Sequence, residues 1–150
     1  MTGTTLAEFW ARARAEVPML PASQPEAWAF GATAQQADEL LALVLAGVKT
    51  GTASSAWDYE AEGEPLPAVG DASVILDGSE EPRAVIQTVA VSVVQFREVD
   101  AGHAFAEGEG DRSLAHWRQV HERFWRTHSP RGFAPDMPVV CERFALIYSR

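Results

Sequence analysis

Residues 47–52, with the sequence GVKTGT, carry the side chains best suited to chemistry in this chain. They place the amine of Lys49 and the hydroxyls of Thr50 and Thr52 on a connection that contains two glycines. A threonine hydroxyl becomes a good nucleophile when a base takes its proton, and a lysine can be that base where burial or a nearby cation favours its neutral form. The same residues also suit a plain helix end followed by a strand. The segment therefore has a catalytic and a structural interpretation.

Two helices are predicted before this segment. Thr33 and Gln36 form a capping pattern ahead of an apolar run with helical spacing, and Gly47 ends that run because glycine adopts the left-handed conformation at low cost. A first helix begins in the same way at Thr5, with Glu8 three residues later. Lys49 and Thr52 therefore follow a helix C-terminus and lead into a strand.

Three runs rich in valine and isoleucine predict strands at residues 73–77, 83–95 and 139–148, the first two joined as a hairpin at Gly78. A third helix begins after Asp111 or Ser113, and His121 on its inner face is expected to be a hydrogen-bonded residue at the edge of the core. Strands from both ends of the chain, without regular strand–helix alternation, predict an α+β domain with a mixed or antiparallel sheet. A curled, barrel-like sheet fits this order.

Composition excludes several classes of protein. A chain of 150 residues with 47% hydrophobic content suits one globular domain. The single cysteine, Cys141, excludes an internal disulfide framework and a multi-cysteine metal site, and the four histidines form no recognised ligand signature. We therefore expect no metal and no cofactor. We also expect a cytoplasmic protein without a membrane span, because the sequence shows neither a long apolar window nor a signal pattern at its start.

The formal net charge of −9 bears on the possible partners. Proteins that bind long nucleic acids carry a basic surface, because contacts with phosphates supply most of the sequence-independent affinity. Binding of DNA is not expected, and tight binding of long RNA would require the 12 lysines and arginines to gather on one face. A small neutral ligand or a single exposed nucleotide is easier to accommodate.

Residues 47–52 resemble the G-x-K-T-x-T signature of the ASCH domains. Residues 57–67, 107–114 and 140–144 are similar to segments of the bacterial stand-alone ASCH proteins. This resemblance implies a PUA-like, mixed β-barrel with flanking helices, assigned to residues 28–150. It also implies that residues 1–27 are an N-terminal helical extension packed on the same domain.

The superfamily includes RNA-binding domains, a ribonuclease activity and small amidohydrolases that remove acyl groups from N-acylated cytidine. The amidohydrolases use a lysine, a threonine three residues later and a distant glutamate. Lys49 and Thr52 match the first two, and the best register places the glutamate at Glu109, with Glu107 as the alternative. Those enzymes carry an arginine two residues after the threonine, where this chain has Ser54.

Substrate-binding residues are also expected near this trio. Trp57 and Tyr59 could stack on a nucleobase or pack in the core. Arg112, beside the proposed acid, could bind a phosphate or carboxylate or pair with Asp111. The leading hypothesis is a hydrolase that removes an acyl group from a base-modified nucleoside. The alternatives are a ribonuclease that uses the same cleft and a non-catalytic module that binds one nucleotide of single-stranded RNA.

Overall fold

The computed structural model describes residues 3–150, which form one mixed sheet of five strands with five α-helices around it. The helices are α1 (Leu6–Glu16), α2 (Ala34–Leu45), α3 (Ala56–Glu62), α4 (Ala101–Glu107) and α5 (Leu114–His128). The strands are β1 (Ala27–Trp28), β2 (Gly51–Ser55), β3 (Ala72–Leu76), β4 (Pro82–Gln95) and β5 (Pro138–Ser149). In this part of the chain no helix is both long enough and apolar enough to cross a membrane.

The strand order is β1-β3-β4-β5-β2, in which β1 pairs with β3 in parallel and the other neighbours are antiparallel. The predicted α+β class with a mixed sheet is confirmed. Register shifts between Val85 and Ile86 and between Thr88 and Ala90 interrupt the long β4–β5 ladder, and such irregularities bend and twist a sheet. β1 and β2 remain at opposite edges, so hydrogen bonds do not close the sheet into a barrel in residues 3–150.

The predicted helix starts are confirmed. The hydroxyls of Thr5, Thr33 and Ser113 each accept a hydrogen bond, at 3.1 Å, from the backbone N–H three residues later. Gly47, just past α2, has φ of 78°. The hairpin of β3 and β4 also lies where the sequence predicts it. The sequence patterns do not predict β1, α3 or α4, each of seven residues or fewer.

Three groups of buried residues hold the helices on the sheet. α1 contributes Phe9, Trp10 and Ala13, which pack with Val74 and Val85. α2 contributes its buried residues to a second group, and α5 contributes two tryptophans to a third. The division of the chain into an extension of residues 1–27 and a domain of residues 28–150 stays a prediction, and residues 1 and 2 lie outside the described part.

The loop that precedes β2 packs against the C-terminal end of α4. The backbone N–H of Thr50 donates to the carbonyl of Ala106 at 2.7 Å. Gly108 follows α4 with φ of 74°, and a Cβ at this position would lie 2.7 Å from the carbonyl oxygen of Val48. Gly108 therefore combines a left-handed conformation with a close contact between two backbones, which brings residues 47–52 beside residues 107–110.

We predict that Gly108→Ala destabilises the protein more than Gly63→Ala. Both glycines are left-handed, at 74° and 68°, but a Cβ at residue 63 meets nothing within 4 Å. Gly63→Ala is expected to lower the free energy of unfolding by about 1–2 kcal/mol through backbone strain. Gly108→Ala should add to the same strain the cost of the steric clash with the carbonyl of Val48. Urea denaturation of both variants measures the difference. Equal losses would contradict the close contact at residue 108.

Candidate active site

The carboxylate of Glu107, the last residue of α4, is surrounded by hydrogen-bond donors although the residue is only 1% exposed. Its Oε2 accepts hydrogen bonds from Nε2 of His103, at 2.7 Å, and from the indole N–H of Trp117. Its Oε1 lies 3.3 Å from Nε2 of His121 and 3.6 Å from Nζ of Lys49. A buried carboxylate is tolerated when its charge is paired and its oxygens are hydrogen-bonded, and both conditions are met here.

The electrostatic balance favours the charged forms of Glu107 and His121. Burial by itself would raise the pKa of Glu107, but the charge of His121, hydrogen bonds from both histidines and the charge of Lys49 hold it well below the usual 4.5. Burial by itself would lower the pKa of His121, but the charges of Glu107 and Glu109 raise it above 6.5. Nδ1 of His121 also donates to the carbonyl of Trp117 at 2.8 Å. Both ring nitrogens of His121 are therefore donors, as in an imidazolium.

Lys49 is 2% exposed and lies between the two acidic side chains. Its Nζ donates to the carbonyl of Gly51 at 2.9 Å and to Oε2 of Glu109 at 3.2 Å, with a longer contact of 3.4 Å to the carbonyl of Glu107. The ring centroid of Phe30 lies 5.2 Å from the same nitrogen. An ammonium group has three N–H donors, and these acceptors can take all of them. These contacts fix the position of Nζ of Lys49 in the site.

A cavity of about 330 Å³ opens beside Lys49. Its walls come from α2, β2, the loop between α4 and α5, and α5 itself. Lys49, Thr52 and Glu109 all line it, so the structure brings together the three residues predicted as catalytic. Glu107 and His121 line it as well. The side chain of Glu107 is 2% exposed and that of Glu109 is 23% exposed, so Glu109 is the more accessible of the two acids.

Trp57 and Tyr59 lie on α3 and are not among the residues that line this cavity. Trp57 packs against the core, and the guanidinium of Arg131 lies 4.6 Å from its ring. The hydroxyl of Tyr59 donates to Oγ of Ser54 at 3.4 Å, and burial raises the pKa of Tyr59. The structure thus does not bring the two aromatic residues expected to stack on a base to the trio. The aromatic residues in the cavity wall are instead Phe30, Phe124 and Trp125.

Arg112 connects the backbone segments on either side of the site. Its Nη2 donates to the carbonyls of Phe105, at 2.9 Å, and Val48, at 3.3 Å, and its guanidinium lies 3.5 Å from the ring centroid of Phe105. Its backbone N–H donates to the carbonyl of Glu109 at 2.9 Å. Arg112 is not part of the cavity wall. These contacts give it a structural role that connects the segment before Lys49 to the loop that carries Glu109.

Glu107, Glu109 and His121 offer ligand atoms within 4.8 Å of one another, which raises the question of a metal ion. Their geometry disfavours one, because the ammonium of Lys49 contacts both carboxylates and would repel a cation held between them. The expectation of no metal remains a prediction. Cys141 lies buried in β5, and its burial raises the pKa of the thiol to about 12, so a thiolate nucleophile is not available there.

The residues around Glu107 are the part of the site that the sequence patterns indicate least. His103 and Glu107 are four residues apart on α4, and Trp117 and His121 are four apart on α5, so each pair shares a helix face. This spacing of four residues is the feature of the sequence that indicates the two pairs. It gains meaning once the two helices are known to meet.

A family model for the ASCH domain matches residues 26–148. The chain belongs to the ASCH domain family. The predicted ASCH, PUA-like fold is therefore confirmed. Membership in the family supports a role in binding RNA or nucleotides, or in hydrolysis, without specifying a substrate.

Solved structures of similar proteins agree with this fold. Protein EF3133 from Enterococcus faecalis V583 shares 34% identity at a TM-score of 0.86, over 94% of this chain and 86% of that protein. An ASCH domain from Lactobacillus crispatus JV V101 shares 28% identity at a TM-score of 0.83, over 93% and 92% of the two chains. The hypothetical protein PH0355, with 16% identity and a TM-score of 0.54 over 80% and 98%, is similar in fold alone. No curated protein sequence matches the chain.

The charged group around Glu107 predicts a characteristic dependence of stability on pH. Because the pKa of Glu107 is lowered in the folded state, its ionised carboxylate stabilises the fold above pH 4.5, and this contribution is lost as the pH falls toward the folded-state value. The raised pKa of His121 stabilises the fold fully below pH 6.5, and this contribution is lost as the pH rises through the folded-state value. His121→Gln should therefore lower the melting temperature most between these two values, with the difference from wild type shrinking at higher pH.

Thermal denaturation of wild type and His121→Gln between pH 4.5 and 9 measures this effect. His128→Gln, an exposed histidine on the same helix, is the matched control and should follow the wild-type curve. A wild-type advantage over His121→Gln that stayed constant across the range would contradict a charged His121.

Proposed function

We propose that the protein hydrolyses the amide of an N-acylated nucleoside of the N-acylcytidine type in the cavity beside Lys49. The observation that carries the proposal is the contact of 3.2 Å between Nζ of Lys49 and Oε2 of Glu109 in a cavity that Thr52 also lines. A hydroxyl, an amine and a carboxylate in one partly enclosed space are the groups that acyl transfer to water requires.

The size and charge of the cavity support a small substrate. About 330 Å³ is near the lower end of the volumes that hold small ligands. Glu39, Glu107 and Glu109 in its wall outnumber the positive charges of Lys49 and His121, so the interior favours a neutral group over a phosphate. The rings of Phe30 and Phe124 offer apolar surface for a base.

The proposed reaction begins with a proton transfer from Lys49 to Glu109. The contact of 3.2 Å between Nζ of Lys49 and Oε2 of Glu109 gives the proton a direct path between the two groups. The neutral amine of Lys49 then takes the proton of Thr52 as the threonine oxygen attacks the acyl carbonyl. Glu109, now protonated, gives its proton to the leaving amine of the base. Water releases the acyl group from Thr52 as a carboxylic acid, which completes the hydrolysis.

Ser54 narrows the proposal to uncharged acyl groups. It occupies the position at which the resembling amidohydrolases have an arginine, and its Oγ accepts a hydrogen bond from Tyr59. The position therefore supplies no positive charge to a substrate carboxylate. An acetyl or similar short, neutral acyl group fits this site better than a dicarboxylic one.

The proposal is tested with a panel of N-acylated nucleosides and with labelled single-stranded RNA, each incubated with wild type and with Lys49→Ala. Mass spectrometry should show deacylated nucleoside from wild type alone. RNA cleavage by wild type, without turnover of nucleosides, would replace the proposal with the ribonuclease alternative. Binding of RNA without any turnover would replace it with a non-catalytic RNA-binding module.

We predict opposite outcomes for two substitutions of Thr52. Thr52→Val keeps the shape but lacks the hydroxyl, so the rate of deacylation should fall by more than about a hundredfold. Thr52→Ser keeps the hydroxyl and should retain much of the activity. Steady-state kinetics on the best nucleoside of the panel measures both. An active Thr52→Val protein would remove Thr52 from the mechanism and leave it as a strand residue.

A further inference from the structure

Positive charge is concentrated in α5 and the residues on either side of it. Residues 112–131 contain five of the 12 lysines and arginines but only one of the 21 acidic residues, Glu122. The rest of the chain is correspondingly more acidic than the net charge of −9 suggests. α5 also forms one wall of the cavity. An anion attached to a substrate would therefore be drawn toward this helix rather than toward α2, which presents Glu39.

Arg123 is the arginine of α5 best placed to meet such an anion. It follows Val120 by three residues and His116 by seven, and both of these line the cavity, so Arg123 lies along the same face of the helix. Its side chain is exposed, and it forms no ion pair with any residue from 3 to 150. By contrast, the nearby Arg126 and Arg131 are paired with Glu122 and Glu60.

We propose that Arg123 binds the phosphate of a nucleotide whose base occupies the cavity, which makes the substrate an acylated nucleotide rather than a free nucleoside. This inference rests on the proposed function, which places the base in the cavity. The acidic walls keep a phosphate out of the interior, and the guanidinium of Arg112 is already engaged with two backbone carbonyls. The planar fork of Arg123 matches phosphate oxygens and is available on the helix face that continues from the cavity wall at His116 and Val120.

The test compares N4-acetylcytidine with its 5′- and 3′-monophosphates and with a short oligocytidylate that carries one acetylated base. For wild type we expect a lower KM for a phosphorylated substrate than for the nucleoside, with the advantage falling as salt is added. Arg123→Gln should raise the KM for that substrate about tenfold more than the KM for the nucleoside. Arg12→Gln removes another exposed helical arginine, from α1, and is the matched control, expected to leave this ratio at its wild-type value.

The substrate series also identifies the source of the phosphate. A preference for the monophosphates indicates a free nucleotide, and a further gain with the oligonucleotide indicates RNA. Equal effects of Arg123→Gln on nucleoside and nucleotide, or none on either, would overturn the inference while deacylation of the nucleoside still supported the proposed function. If no substrate is deacylated, calorimetric titration with cytidine and its monophosphates still measures whether binding depends on the phosphate. A phosphate-dependent affinity that Arg123→Gln removes supports the phosphate site, and its absence refutes it.

Discussion

The burial of one carboxylate, that of Glu107, is the constraint on which the site depends. A buried negative charge is strongly unfavourable unless donors surround it, and here the donors come from three parts of the chain: His103 on α4, Trp117 and His121 on α5, and Lys49 before β2. Each donor can reach Glu107 only if its own element is in place. The carboxylate therefore couples the packing of α4 and α5 to the position of the segment that carries the reactive lysine.

The two acids near Lys49 have different environments and hence different expected roles. Glu107 is almost fully buried, and its carboxylate is contacted by two histidines and the lysine. Glu109 lies two residues later, after the left-handed Gly108, with a side chain that is 23% exposed and lines the cavity. Glu107 is thus suited to hold Lys49 in position, and Glu109 to exchange protons with a substrate. Arg112 reinforces this arrangement through its contacts with Val48 and Glu109.

The features that depend on local sequence are the ones that could be predicted. The caps at Thr5 and Thr33, the end of α2 at Gly47 and the hairpin of β3 and β4 each follow from a few adjacent residues. The family signature indicates Lys49 and Thr52, and the structure brings both to a cavity with Glu109. The partners of Glu107 could not be predicted, because they depend on how α4, a helix of seven residues, meets α5. Closeness in sequence to Thr52 does not place Trp57 in the cavity wall, because Trp57 lies on α3.

The coupling between Lys49 and Glu107 is most directly measured by a double-mutant cycle of folding stability with Lys49→Met, Glu107→Gln and both together. Each single substitution removes one charged contact from a buried group, Lys49 keeping Glu109 and Glu107 keeping His121, and should cost up to about 3–5 kcal/mol. The double variant should lose less than the sum of the two, by more than about 1 kcal/mol, because both charges of the pair are then absent. Strictly additive losses would show that the two side chains do not stabilise each other, and would contradict the dependence of the site on the buried Glu107.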